Sequence, residues 1–317
     1  MAEHAMYFAD DKARRAYMTR IIVSKVFSYL FLTIFALFML APFVLMVFGS
    51  FIHYRGFYNF STSADFEWLG FGMKEWGGYA WNNWGFENYK QIFGMSSEFP
   101  VYFLNTFIVA IGSTTVTVVT AVLAGFAFAR LQFKGKDALF ALLLATMMIP
   151  GEMMVLTNFV TVKEFRWENT FSALILVHGV SVFYVFYLRQ TFQQIPNELY
   201  LAAKVDGVGD LGYLLKVMVP IAMPTITTII ILSMMGAWNS YVWPNLVANG
   251  KYPGTNHSMK LVSNGLREAF ALNESGASDR EAVKIAGSMV VSTPLFIVFI
   301  IFRKYIMKGV SRSGIKG

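Results

Sequence analysis

The chain has 317 residues, of which 56% are hydrophobic and only 14% charged, whereas soluble domains run nearer a quarter charged. A soluble fold of this length has too little interior to hide so much apolar surface, so the composition points to a chain that uses lipid as its solvent. The net charge of +7 would suggest nucleic acid in a soluble protein; here its placement along the chain matters more, and no nucleic-acid partner is expected. With no cysteine there is no disulfide, thiolate metal site or Cys nucleophile.

Residues 1–25 mix Glu3, Asp10 and Asp11 with Lys12, Arg14, Arg15 and Arg20. They read as a cytoplasmic segment without a cleavable signal, because the apolar run that follows is too long and lacks a small-residue cleavage site. About 20 apolar residues cross a bilayer core, and six stretches qualify. They are Val26–Gly49, Tyr102–Ala129, Ala138–Phe159, Phe171–Leu188, Val217–Leu246 and Ile285–Phe302. The expected fold is an all-α membrane protein with six transmembrane helices spread over residues 26–307. The fifth span holds Pro220 and Pro224 and should begin broken or kinked, since each proline removes a backbone hydrogen bond.

Lys and Arg set the orientation. With the N-terminus inside, the inner segments hold Lys12 to Lys25, then Arg130, Lys134 and Lys136, then Arg189, Lys204 and Lys216, then Arg303 to Lys316. The bias favours both termini in the cytoplasm. Two outer segments result. One, about 51–100, is rich in aromatics such as Tyr54, Trp68, Trp76 and Trp84, which serve as interfacial anchors or as faces for a docked protein or sugar rings. The other, about 247–282, is polar and mixed in charge.

The spans hold almost no charge. Glu152 sits near one end of the third and His178 within the fourth; the first reads as an end residue, the second as a packing residue with no metal set around it. An ion-coupled secondary transporter needs buried ionisable groups, and their scarcity argues against that class. A membrane-embedded enzyme would need a cluster of His, Asp or Glu, and the four His are far apart. No catalytic residue, metal or cofactor is expected. The only Gly-Lys pairs, Gly135-Lys136 and Gly250-Lys251, are followed by Asp137 and Tyr252, so there is no phosphate-binding loop. A transporter of this composition takes its energy from a partner.

Within the fifth span, Trp238, Asn239, Tyr241 and Trp243 are candidates for a substrate pathway, with Asn105 in the second span a weaker one. Packing of one helix on another is the alternative, with Ser and Asn joining helices. Between the fourth and fifth spans, residues 192–216 form a loop. Pro196 and Glu198 suit a helix start, Leu199, Ala202, Ala203 and Val205 give a short apolar side, and Asp206-Gly207 ends it. An amphipathic helix lying in the membrane interface is one reading.

The same segment resembles the EAA loop of ABC-transporter permeases, E-A-A-x-x-x-G followed after nine residues by I-x-L-P. Ala202, Ala203, Gly207 and Pro220 fit, Val217 and Val219 replace Ile and Leu, and Leu201 stands where the motif has Glu. Phe86–Phe93, Asn105-Thr106, Phe126–Gly135, Met148-Ile149-Pro150, Trp238-Asn239 and the tail from Gly309 to Gly317 further resemble the smaller permease subunit of carbohydrate-type (maltose-type) importers, with the tail's second glycine shifted to Gly314.

The resemblance implies a type I importer permease. It would pair with a second, homologous permease, two cytoplasmic ATPase subunits and an extracytoplasmic solute-binding protein, and would pass a sugar or oligosaccharide through the inner membrane. A polyol or glycerol phosphate is the alternative cargo. Glu198, Leu201, Ala202, Ala203, Asp206, Gly207 and Pro220 would couple to the ATPase. The tail at 308–317, with Gly309, Gly314 and Lys316, would enter between the ATPase subunits or lie against anionic membrane lipid. The outer loop at 247–282 would reach the binding protein or remain solvated.

Overall fold

The computed structural model describes residues 11–51, 85–94, 98–265 and 278–311. The order is α1 (Asp11–Phe51), α2 (Glu87–Phe93), α3 (Phe99–Arg130), α4 (Lys136–Thr146), α5 (Gly151–Glu164), α6 (Phe171–Ile175), α7 (Val182–Gln193) and α8 (Asn197–Val205). After these come α9 (Asp210–Tyr213), a π-helical turn (Leu214–Met218), α10 (Val219–Trp238), α11 (Val242–Val247) and α12 (Ser278–Ser311). Among the described residues there is no strand, only an isolated antiparallel bridge between Lys251 and Ser258. The chain divides into two compact units, Met1–Tyr89 with Glu281–Met289 and Lys90–Arg280 with Val290–Gly317.

In the first unit α1 runs 41 residues, about 60 Å at 1.5 Å per residue, roughly twice a bilayer core. Its apolar side chains are exposed along its length, as suits a helix solvated by lipid. At its end Ser50 is buried, with its carbonyl accepting from Asn88 Nδ2 at 2.9 Å and its Oγ from the Tyr89 hydroxyl at 2.8 Å. The Gly85 amide donates to the Phe51 carbonyl at 3.0 Å, so the two ends of the aromatic-rich segment meet. Residues 52–84, with the aromatic side chains singled out above, lie outside the described residues.

Among the described residues, four helical stretches are long and apolar enough to cross a membrane: Tyr17–Phe51, Phe99–Arg130, Asp210–Trp238 and Val283–Arg303. A fifth arises if α4 and α5 together make one span, and these two helices meet at 95°. The third expected span is therefore not one straight helix. Pro150 occupies the N-cap of α5 with ψ 130, has no N–H to continue the helix and pushes Ile149 away from helical geometry. The fourth expected span is interrupted as well. Helix α6 stops at Ile175 and α7 starts at Val182 with the Ser181 hydroxyl accepting from the Tyr184 amide.

The fifth span differs at both ends. The chain stays helical through Pro220, because the π-turn lets the Val219 amide reach the Leu214 carbonyl and Pro220 falls in the first turn of α10. It ends at Trp238, not Leu246. Asn239 caps it, and Trp243 belongs to the separate α11.

In the second unit α3 packs lengthwise against α7 and α10. The joint core holds Ala121 and Phe126 of α3, Val185, Leu188 and Phe192 of α7, and Ala222, Ile226 and Ile229 of α10. The helices approach closely at Gly125, where a Cβ would stand 3.0 Å from Leu188 Cβ and 3.3 Å from the Arg189 amide nitrogen. Small residues allow such backbone contact where lipid supplies no hydrophobic drive between helices. Two arginines tie the ends together. Arg130, closing α3, donates to the carbonyls of Phe192 and Ile195, and Arg189 Nε donates to the Phe128 carbonyl at 3.2 Å while its guanidinium lies 4.0 Å from the centre of the Phe140 ring. Arg130 thus satisfies carbonyls that the end of α7 leaves open and fixes where the next helix begins. A second core, around Val109, Leu174, Trp243, Val247 and Met259, gathers α3, α6, α11 and the segment after α11.

Candidate functional site

Helix α8 begins at Asn197, whose Oδ1 lies 3.4 Å from Arg130 Nη1. It ends in a Schellman arrangement: the Gly207 amide donates to the Lys204 carbonyl at 3.1 Å and the Val208 amide to the Ala203 carbonyl at 2.9 Å. Gly207 has φ +72, the left-handed region that favours glycine. A Cβ there would meet nothing within 4 Å, so the demand is conformational, not spatial. Across the turn, Asp210 Oδ1 accepts from the Tyr200 hydroxyl at 2.7 Å and pairs with Lys204 Nζ at 2.7 Å. The Tyr200 ring also rests on Tyr213, with centroids 5.0 Å apart. The carboxylate beside Lys204 holds its ammonium above the ordinary lysine range. Accepting the phenol's hydrogen bond, the same carboxylate raises Tyr200.

These contacts fix which side of α8 faces inward. Tyr200 and Ala203 pack on the core. Leu199, Leu201 and Val205 face out, exposed by 42%, 56% and 88%. Ala202 and Glu198 are exposed beside them, Asp206 is the exposed C-cap, and Pro220 is an exposed residue of the first turn of α10. The loop residues marked in the sequence are therefore brought together, except that Pro220 lies beyond the π-turn. Gly309 lies near the end of α12; Gly314 and Lys316 lie outside the described residues.

The pathway candidates divide. Trp238 is buried, with Nε1 donating to the Val291 carbonyl at 3.1 Å and its ring edge-on to Phe103 and Phe107. Trp243 is buried too, its Nε1 donating to the Ala173 carbonyl at 3.0 Å. Asn239 is exposed and bonds its own helix at Met235; Tyr241 is half-buried in the break between α10 and α11.

Asn105 is buried and donates to the carbonyls of Ser258 at 2.8 Å and Lys260 at 3.1 Å. Beside it, Thr106 Oγ1 accepts from the Val262 amide at 2.9 Å. Together they pin the segment after α11 to α3. Asn264 completes the fastening, accepting from the Leu261 amide at 2.7 Å and donating to the carbonyls of Pro244 and Ala248, both at 3.3 Å. Asn169, with φ 56, accepts from the Gly250 amide through its side chain. Residues 248–265 are thus a strap held by side chains, while 266–277 lie outside the described residues.

Beside the strap lies a cavity of about 270 Å³. Ser113 and Thr117 of α3 line one wall, Ser233 of α10 and Ser240 another, and His178 with Tyr184 a third. The His178 ring stands edge-on to Trp243, with centroids 5.1 Å apart. The strap holds this wall, since Ser263 Oγ donates to the Ser240 carbonyl at 2.6 Å. The sequence pattern alone does not single out Ser113, Thr117 and Ser233. The signal that could have found them is spacing: Ser113 and Thr117 stand one helical turn apart, as do Ser233 and Ala237, within otherwise apolar runs.

Residues 117–313 match the family described as the binding-protein-dependent transport system inner membrane component. The chain belongs to this family. The permease is accordingly a multi-pass protein of the inner membrane, and its match takes in the core of the second unit, the α8 loop and the strap. It is 29% identical over 232 residues to the arabinooligosaccharides transport system permease protein AraQ of Bacillus subtilis (strain 168), covering 73% of this chain and 79% of AraQ. A solved bacterial ABC transporter involved in the import of the acidic polysaccharide alginate has a chain that superposes with TM-score 0.73 at 19% identity, over 94% of the permease and 99% of that chain. The alginate ABC transporter in complex with an alginate pentasaccharide-bound periplasmic protein gives TM-score 0.57 at 13% identity, over 90% and 94%. These two establish the shared fold.

Proposed function

We propose that the permease is one of two homologous membrane subunits of an ATP-driven importer for a sugar or oligosaccharide, with six spans and both termini in the cytoplasm. The broken pairs α4–α5 and α6–α7 supply the third and fourth spans on this reading. AraQ, named for arabinooligosaccharides, supports the cargo class, and the periplasmic protein in the alginate complex supports an external binding protein as partner. The chain does no chemistry; two cytoplasmic ATPase subunits supply the energy.

The observation that carries the reading is α8. A helix locked by Gly207, Tyr200, Lys204 and Asp210 nevertheless leaves Leu201 and Val205, one turn apart, exposed. Water is a poor neighbour for such a face, and an ATPase cleft is a good one. Leu201, where the motif has Glu, makes the contact apolar instead of ionic. When the ATPase dimer closes, a rigid α8 transmits the movement through Arg130 and the α3–α7 joint, and the two permeases rock about the cargo. The tail at 308–317 enters between the ATPase subunits, and the outer segments 51–100 and 247–282 face the binding protein.

The test is a detergent pull-down of tagged permease co-expressed with its genomic neighbours, followed by ATPase assay with and without the candidate binding protein. An ATPase and a second permease should co-purify, and binding protein should stimulate hydrolysis. A chain that purifies without an ATPase under conditions preserving known importer complexes overturns the reading.

A further inference from the structure

The cavity beside the strap carries more than a general cargo class. Six side chains with hydroxyls line it, Ser113, Thr117, Ser181, Tyr184, Ser233 and Ser240, and of these Ser181 already accepts from the Tyr184 amide. Elsewhere on the same helices, hydroxyls are used locally: Thr106, Thr115, Thr120 and Thr228 each donate to the carbonyl four residues back, at 2.8 to 3.0 Å. No such bond engages the hydroxyls of Ser113, Thr117, Ser233 and Ser240 among the described residues. None of the four is a buried atom without a partner, so they stay accessible from the cavity and are free to meet a ligand with donors and acceptors of its own.

The wall also lacks something. Among the described residues it holds no Asp, Glu, Lys or Arg, and His178 is the only lining side chain there that can carry a charge near neutral pH. Apart from the hydroxyls the lining is largely apolar, with Val109, Leu174, Leu232, Trp243 and Pro244. A carboxylate brought here would leave water without a lysine or arginine to meet it, which is strongly unfavourable in an apolar site. A sugar hydroxyl has no such difficulty, since it donates and accepts as serine does. At about 270 Å³ the space is at the lower edge of the roughly 300–1,000 Å³ usual for ligand pockets, which suits one sugar ring and not a chain of them.

From the free hydroxyls and the uncharged wall we infer that this cavity is a binding subsite for a single ring of a neutral sugar, and that it rejects uronic-acid units. This rests on the importer reading above. It sets the permease apart from its structural neighbour, whose cargo is an acidic polysaccharide. Ser113 and Thr117 meet one edge of the ring and Ser233 and Ser240 the other, while the strap closes the wall through Ser240.

The natural absence of cysteine makes the test direct. Ser233→Cys is introduced into the full chain, the importer is assembled with its partner subunits, and the rate of modification by a small thiosulfonate is followed. Maltotriose and arabinotriose, at millimolar concentration, should each slow modification several-fold, and trigalacturonate should leave it unchanged. Thr228→Cys, which does not line the cavity, should be indifferent to all three. Equal protection by trigalacturonate overturns the neutral-ring assignment. So does the absence of protection by both neutral probes in complexes whose ATPase still responds to binding protein, an outcome that leaves the importer reading standing. Should Ser233→Cys impair assembly, Ser113→Cys reads the opposite wall with the same expected outcomes.

Discussion

Two connections of the second unit solve the problem of irregular backbone in opposite ways. The strap at 248–265 turns its polar groups inward: Asn105, Thr106, Asn169 and Asn264 together satisfy amides and carbonyls that no regular helix would. The α8 loop also satisfies its backbone, through the Gly207 turn, but leaves apolar side chains outward. A segment complete in itself is built to stay; one with an unfilled apolar face is built to meet something. The strap belongs to the fold that shapes the cavity, and α8, on our reading, belongs to an interface that this chain only half supplies.

The sharpest way to break the comparison is at Asn264. Asn264→Leu leaves the Leu261 amide and the Ala248 carbonyl without their side-chain partner, while the Pro244 carbonyl keeps the Ala248 amide. At about 1–3 kcal/mol for each buried group left unsatisfied, the loss should exceed that of any single change on α8. The strap should become open to protease at Lys251 and Lys260 and the thermal midpoint should fall. Asn264→Asp keeps the acceptor for Leu261 but sets an acceptor-only carboxylate at a buried position against the carbonyls of Pro244 and Ala248, so it should destabilise at least as much. A strap as protected in Asn264→Leu as in the parent would show that the asparagine is incidental.

On α8 the expectation inverts, with little effect on the isolated chain and a clear one on assembly. Leu201 is 56% exposed, and covering a leucine completely is worth about 1.5–3 kcal/mol. Leu201→Ala should therefore weaken ATPase capture by roughly tenfold, about 1.4 kcal/mol, while the permease alone melts as before. Binding-protein-stimulated hydrolysis against ATPase concentration reads this directly. Unchanged capture would mean that the exposed leucine faces lipid or water in the working complex.

Gly207 separates conformation from contact. Any side chain there takes a left-handed backbone, at roughly 1–2 kcal/mol, and its Cβ meets nothing within 4 Å. Gly207→Ala and Gly207→Trp should thus cost the isolated permease the same. Only the tryptophan should also block coupled transport, because its bulk would project toward the partner. Equal transport in the two variants would remove Gly207 from the interface.

The sequence disclosed these features unevenly, for physical reasons. Long apolar runs made α1, α3, α10 and α12 legible, since a span is a local property of composition. The breaks inside the third and fourth runs were not, although Pro150 and the Gly179–Ser181 stretch were in plain view, because hydropathy does not register a change of direction. Asn105 reads as a pathway residue in the sequence because its partners, the carbonyls of Ser258 and Lys260, lie more than 150 positions away. The Trp238–Trp243 group divides because α10 stops at Trp238. The loop pattern around Gly207 was the best guide, since a left-handed turn after a short helix is dictated almost wholly by neighbouring residues.

The finest distinction concerns what locks α8. The Lys204–Asp210 pair beside Tyr200 is reached by solvent, and screening by water keeps such pairs weak. Lys204 has its pKa raised chiefly by the hydrogen bond to Asp210. A base stabilised in this sense contributes fully below its unfolded pKa and loses the contribution as pH rises through the folded value. The lysine's part of the lock should therefore be indifferent to alkalinity until the pH passes the ordinary lysine range. Lys204→Gln should lower the thermal midpoint only slightly at neutral pH, and that small difference from the parent should vanish in strongly alkaline buffer. A difference that instead persists at every pH would mean that the lysine acts through its alkyl stem over the Tyr200 ring, 5.4 Å from Nζ to the centroid, with α8 held by packing while its charge pair merely decorates the turn.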